Sequence, residues 1–142
     1  MNSNDQISLN FCYSEFTASK IAEGFHIDNS IPSEYVKLNI HALVTLLLQP
    51  LRTACGHPLK VNSGYRCKKL NDLVGGSKNS QHTKGQAADI ASDAPIRLAR
   101  IVIDRGYGFL RKPQSSTKSL ERQRKNATCL KMIETILLTL LL

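Results

Sequence analysis

The sequence predicts an α+β domain, and two observations carry that reading. Residues 33–55 place apolar side chains at three- and four-residue steps. Two short segments, 58–62 and 87–91, read as strands between glycine-containing turns. A length of 142 residues with 42% apolar side chains suits one hydrophobic core, and 21% charged residues is too few for wholesale disorder.

Taken in order, Ser14–Glu23 reads as a short helix capped by Ser14 and ended by Gly24. Asn29-Ser30-Ile31-Pro32-Ser33 is a turn into a long helix that stops at Gly56. Val36, Ile40, Leu43, Val44, Leu47, Leu51 and Ala54 form its apolar stripe, which makes it the main core element. Pro50 lacks a backbone donor and is expected to interrupt the helix near Leu46–Gln49. Pro58–Asn62 is a strand, Ser63-Gly64-Tyr65 a turn, and Arg66–Leu73 a helix closed by Gly75-Gly76. Ser77–Gln86 is polar and loop-like, Ala87–Ala91 is a strand of small residues carrying Asp89, and Ile96–Arg105 is a last helix closed by Gly106.

Charge is uneven. The net charge is +8, yet residues 1–104 hold 11 Lys/Arg against 9 Asp/Glu while residues 105–142 hold 8 against 2. A nucleic-acid domain carries its charge on the folded face. Here the charge belongs to a tail, and no nucleic-acid partner is expected. Contact of Arg111–Lys131 with acidic lipid or nucleic acid is the tail's alternative to a solvated charge run. Ile136–Leu142 is apolar but far shorter than the roughly 20 residues of a membrane span. Cys12, Cys55, Cys67 and Cys129 include no C-x-x-C pair, so they read as reduced thiols. Met1–Leu9 is polar and predicts no secretory signal, which implies a protein that is cytoplasmic as synthesised.

The chemistry concentrates between Asn62 and Asp89. An imidazole and a carboxylate are ordinary zinc ligands, and His82 and Asp89 stand seven residues apart. That spacing suits a loop that delivers His82, turns at Gly85 and enters the strand bearing Asp89, with Ala87 and Ala88 leaving room beside an ion. Spacing alone favours a polar surface loop with an exposed histidine and a strand-edge aspartate, since two potential ligands do not make a site.

The whole pattern, Ser80-x-His82-x-x-Gly85-x-Ala87-x-Asp89, resembles the signature of peptidase family M15, the zinc D-Ala-D-Ala carboxypeptidases and dipeptidases. Val61-Asn62-Ser63-Gly64-Tyr65-Arg66 and Leu70-Asn71-x-x-Val74-Gly75-Gly76 resemble it too. So do Phe16-Thr17-Ala18-Ser19 and Leu48-Gln49-Pro50-Leu51-Arg52, which look like its single-domain bacterial and phage members. The resemblance runs from about Leu9 to Phe109, and this stretch is similar to the C-terminal domain of the family's zinc D-Ala-D-Ala carboxypeptidases. It divides the chain into a peptidase-type domain at 1–109 and a non-matching basic, then Leu-rich, tail at 110–142.

The resemblance implies a Hedgehog/DD-peptidase-like fold, with helices packed on a small antiparallel sheet. It implies zinc held by His82 and Asp89, and Arg66 as the catalytic group that holds the substrate carbonyl and steadies the oxyanion. Ser80 would sit beside a bound peptidoglycan peptide, and a phage or prophage setting would follow. His26, His41 and His57 fall outside the pattern and read as structural or surface residues.

The pattern breaks after Phe109. The family's third ligand is a histidine in a closing strand, beside a carboxylate base. Residues 107–142 contain no histidine, and their only carboxylates are Glu121 and Glu134. The closing strands are expected to be absent, zinc binding weak or absent, and a sheet edge left for the Leu-rich tail to cover or for aggregation. Three explanations are, in order, a reading-frame shift, divergence into a non-catalytic cell-wall peptide-binding module, and recruitment of a ligand from another chain. The functional expectation is a zinc metallopeptidase-like domain acting on peptidoglycan stem peptides, with the binding module and the frame-shifted remnant as alternatives.

Overall fold

The computed structural model of the chain describes residues 5–105, with backbone alone for 110–111 and 130–132. The expectations for the rest of the tail lie outside the described residues. A hairpin of β1 (Gln6–Ser8) and β2 (Phe11–Cys12) leads into two short helices, α1 (Tyr13–Thr17) and α2 (Lys20–Gly24). The single helix expected from Ser14 to Glu23 is therefore divided. Ala18 is extended at φ −62°, ψ 129°, and the Ser19 hydroxyl caps a fresh start by accepting from the Ala22 amide at 3.2 Å. Ser14 does not act as the cap; its hydroxyl donates to Asp5 at 2.6 Å. The left-handed residue after α2 is His26, at φ 51°, rather than Gly24.

The core helix is built in three parts: α3 (Glu34–Leu43), a π-helical turn (Val44–Leu48) and α4 (Gln49–Cys55). Pro50 occupies the first turn of α4, where its missing N–H costs least. The wider turn before it relieves the contact of the proline ring with the preceding carbonyl. The turn also shifts the buried face. Leu48 and Cys55 are fully buried, whereas Leu43 and Ala54, expected on the stripe, are only partly covered. Gly56 ends α4 at φ 71°. Ser33 caps α3 by accepting from the Val36 amide at 3.4 Å. Ser33→Ala is expected to cost about 0.5–1 kcal/mol in chemical denaturation, with no change in denaturant sensitivity.

β3 (Leu59–Ser63) and β4 (Ala88–Ser92) pair antiparallel, Leu59 opposite Ser92 and Val61 opposite Ile90. Between them lie α5 (Lys68–Leu73) and a 3-10 turn, Gln81–Lys84, and β4 is followed by α6 (Pro95–Asp104). Phe11, Phe16, Ile40, Val44, Leu51, Ile90 and Leu98 meet in one apolar core between helices and sheet. Cys12, Cys55 and Cys67 are free thiols.

The closing strands expected to be absent have a counterpart. β5 (Leu110–Arg111) pairs with β6 (Leu130–Met132), and β6 pairs antiparallel with β4, for the sheet order β3-β4-β6-β5. The exposed ladder groups of β4 are a template for any extended segment, and apolar-polar-apolar Leu130-Lys131-Met132 suits it. No helix among the described residues is long and apolar enough to cross a membrane.

Candidate metal and substrate site

The site starts from an irregularity in the sheet. After Val61 pairs with Ile90, the register slips so that Ser63, not Asn62, faces Asp89. The extra residue bends β3 and aims the following turn across β4, a common use of a bulge. Along β4 the side chains alternate: Ala88, Ile90 and Ser92 are buried, while Asp89 takes the opposite face.

The turn carrying His82 is tied to the turn carrying Arg66 by two hydrogen bonds. The Arg66 amide donates to the His82 carbonyl at 3.1 Å, and His82 Nδ1 lies 2.7 Å from the Gly64 carbonyl. A carbonyl only accepts, so Nδ1 carries a proton, and it is Nε2 that a neutral ring would offer to a metal. Nε2 lies 3.7 Å from Asp89 Oδ2. The same oxygen accepts from Arg66 Nη2 at 3.3 Å, and Arg66 Nε donates to Ser63 Oγ at 3.0 Å. The side chains of His82, Arg66 and Asp89 are 3%, 15% and 16% exposed, so the trio is largely withdrawn from water.

Two glycines permit this approach. Gly85 ends the histidine turn at φ 72°, and a Cβ there would meet the Val36 carbonyl at 2.9 Å. Gly64 presents its carbonyl to His82 while lying against the backbone of Phe16. Burial pushes the Tyr65 phenol up, with Cys67 and Asp28 adding to the effect. The Ser30 amide holds the exposed Asp28 carboxyl below its ordinary range.

The structure thus brings three of the four sequence candidates together. Ser80 immediately precedes the turn, its carbonyl accepts from Thr83, and among the described residues its hydroxyl has no hydrogen bond to the trio. His26 and His41 are exposed, and His57 pairs with Asp93 at 3.1 Å.

The sequence reading missed the supports of the site. Asn71 is buried and donates to the Ser77 carbonyl at 2.9 Å, fixing the path from α5 toward the histidine turn. Gln49 accepts from the Ser8 hydroxyl at 2.7 Å and the Asn10 amide at 3.1 Å, pinning the first hairpin to α4. Both lie within the resembling segments, but spacing reveals neither the Asn71 bond to a carbonyl six residues on nor the Gln49 bonds to a hairpin about forty residues back.

Zinc fits the donor types. Two ligand atoms each about 2.0–2.2 Å from one tetrahedral ion would stand about 3.4 Å apart, close to the 3.7 Å between Nε2 and Oδ2. The fit is that of a half-site, because no cluster of three His, Cys, Asp or Glu exists among the described residues.

Known proteins bear on this geometry. Residues 10–116 match the family described as peptidase M15. The zinc D-Ala-D-Ala carboxypeptidase of Streptomyces albus G is 33% identical over 103 residues, which cover 71% of this chain but 36% of that enzyme. The family match at residues 10–116 embraces the core helix, the β3–β4 pair and every member of the trio, and on that footing the chain belongs to the peptidase M15 family.

Proposed function

We propose that this peptidase-like domain takes peptidoglycan stem peptides ending in D-Ala-D-Ala and acts on them as a zinc carboxypeptidase. The convergence of His82 Nε2 and Arg66 Nη2 on one oxygen of Asp89 carries the reading. His82 and Asp89 would hold the ion, and Ser80 would border the bound peptide. Zinc, when bound, supplies a Lewis acid for the amide carbonyl and an acidified water. Arg66 uses Nε on Ser63 and Nη2 on Asp89, which leaves guanidinium donors to orient a substrate carbonyl and meet the negative charge that develops on its oxygen. The Gly64 carbonyl keeps the imidazole in its ligand tautomer.

A second reading, a peptide-binding module without turnover, is favoured by one observation. The described residues offer two ligands where a catalytic zinc takes three, and residues 107–142 hold no histidine. One experiment separates the two: zinc content and D-alanine release from a peptide ending in D-Ala-D-Ala, with calorimetric binding in parallel. Zinc-dependent release supports the enzyme, and saturable binding without release supports the module. Neither release nor binding would sink both.

A further inference from the structure

We infer that Asn29 is a positioning residue for Arg66. The loop before α3 carries this asparagine into the interior, where it is 7% exposed. Its carboxamide grips the two peptide units on either side of Arg66. Nδ2 donates to the Tyr65 carbonyl at 3.0 Å, and Oδ1 accepts from the Cys67 amide at 2.7 Å. Nδ2 also donates to the Thr17 carbonyl at 2.9 Å, which anchors the clamp to the end of α1.

Arg66 is therefore held between two supports. On one side its own amide is bonded to His82; on the other, Asn29 fixes its neighbours. Together they set both soft torsions of the residue whose guanidinium must reach Asp89. An arginine side chain is long and rich in rotamers, so a backbone free to rotate would spread its head group over several ångströms. Asn29 lies 37 residues before Arg66, and its hydrogen bonds go to the Thr17 and Tyr65 carbonyls and the Cys67 amide rather than to the trio's side chains, so it acts through the backbone it holds. Asparagine is required in kind: an acceptor and a two-proton donor are both used, and aspartate would turn an oxygen toward two carbonyls.

The peptide-binding arm of the test rests on the proposed function; the spectroscopic arm does not. Wild type, Asn29→Ala, Asn29→Asp, Arg66→Ala and the Asn29→Ala/Arg66→Ala double variant are made as full chains. The Arg66 Nε–H resonance is followed by NMR, and affinity for a peptide ending in D-Ala-D-Ala by calorimetry. In folded Asn29→Ala the Nε–H signal is expected to lose its hydrogen-bonded shift while the β3–β4 amides keep theirs. Peptide affinity should fall about tenfold, the scale of one or two lost buried hydrogen bonds. The double variant should bind no more weakly than Arg66→Ala alone, since a residue acting through Arg66 has nothing left to affect. An unchanged Nε–H signal, or additive losses, would overturn the inference. If Asn29→Ala does not fold, Asn29→Asp, which keeps the acceptor toward Cys67, is read in the same way. Failure of both to fold would make Asn29 a purely structural residue and overturn it too. Absence of peptide binding by wild type would count against the proposed function and leave the Nε–H signal to decide Asn29.

Discussion

Gly64→Ala is expected to destabilise the domain by about 3 kcal/mol, at the upper end of what one added methyl group costs in a tight interior. A Cβ at Gly64 would stand 2.6 Å from both the Cα and the carbonyl oxygen of Phe16. Those are backbone atoms of α1, so no rotamer change relieves the overlap, and either α1 or the turn after β3 must move. Moving the turn withdraws the Gly64 carbonyl from His82, so the variant should also bind zinc less well than its lost stability alone would explain. Gly24 is the control: a Cβ there meets nothing within 4 Å, and Gly24→Ala should be neutral or slightly stabilising. Urea denaturation of both variants checks the contrast, and equal midpoints would show that the approach to Phe16 is not tight.

Asp89→Ala is expected to remove zinc binding and any D-alanine release to background. Asp89 Oδ2 is the shared focus of His82 and Arg66, so its loss takes one ligand and strands a guanidinium that is 15% exposed. Stranding a mostly withdrawn charge should cost about 1–3 kcal/mol in the metal-free protein, less than for a fully buried pair because water still reaches the edge. Asp89→Asn separates the two effects, since an amide keeps the shape and an acceptor for Arg66 but is a poor zinc ligand. It should retain most of the stability and lose the metal. Metal analysis after dialysis, set beside thermal unfolding, reads both quantities. Undiminished zinc in Asp89→Ala would remove Asp89 from the site.

Local signals were legible where a single interaction outweighs its competitors. The 33–55 stripe declared a core helix because burying apolar side chains at helical period outweighs any local alternative. Pro50 announced an interruption close to where the π-helical turn lies. The Ser14–Glu23 segment misled because two weak starts compete there. Its helical propensity is marginal, and the Ser19 hydroxyl decides for a second cap. The tail's β6 was hidden by its shortness, since three alternating residues make a strand only beside a waiting edge.

The α+β class, the order of the main elements and the identity of the residues that can carry chemistry were legible along the chain, because each depends on neighbours within a few positions. That Arg66 and His82 converge on one oxygen of Asp89, and that Asn29, Asn71 and Gly64 brace the turns around them, emerges from the folded arrangement alone. The difference is one of range. A helix or turn forms from contacts along the chain, whereas a metal or substrate site needs atoms from distant segments set to within tenths of an ångström. That precision comes from buried hydrogen bonds and close backbone contacts whose partners no spacing rule reveals.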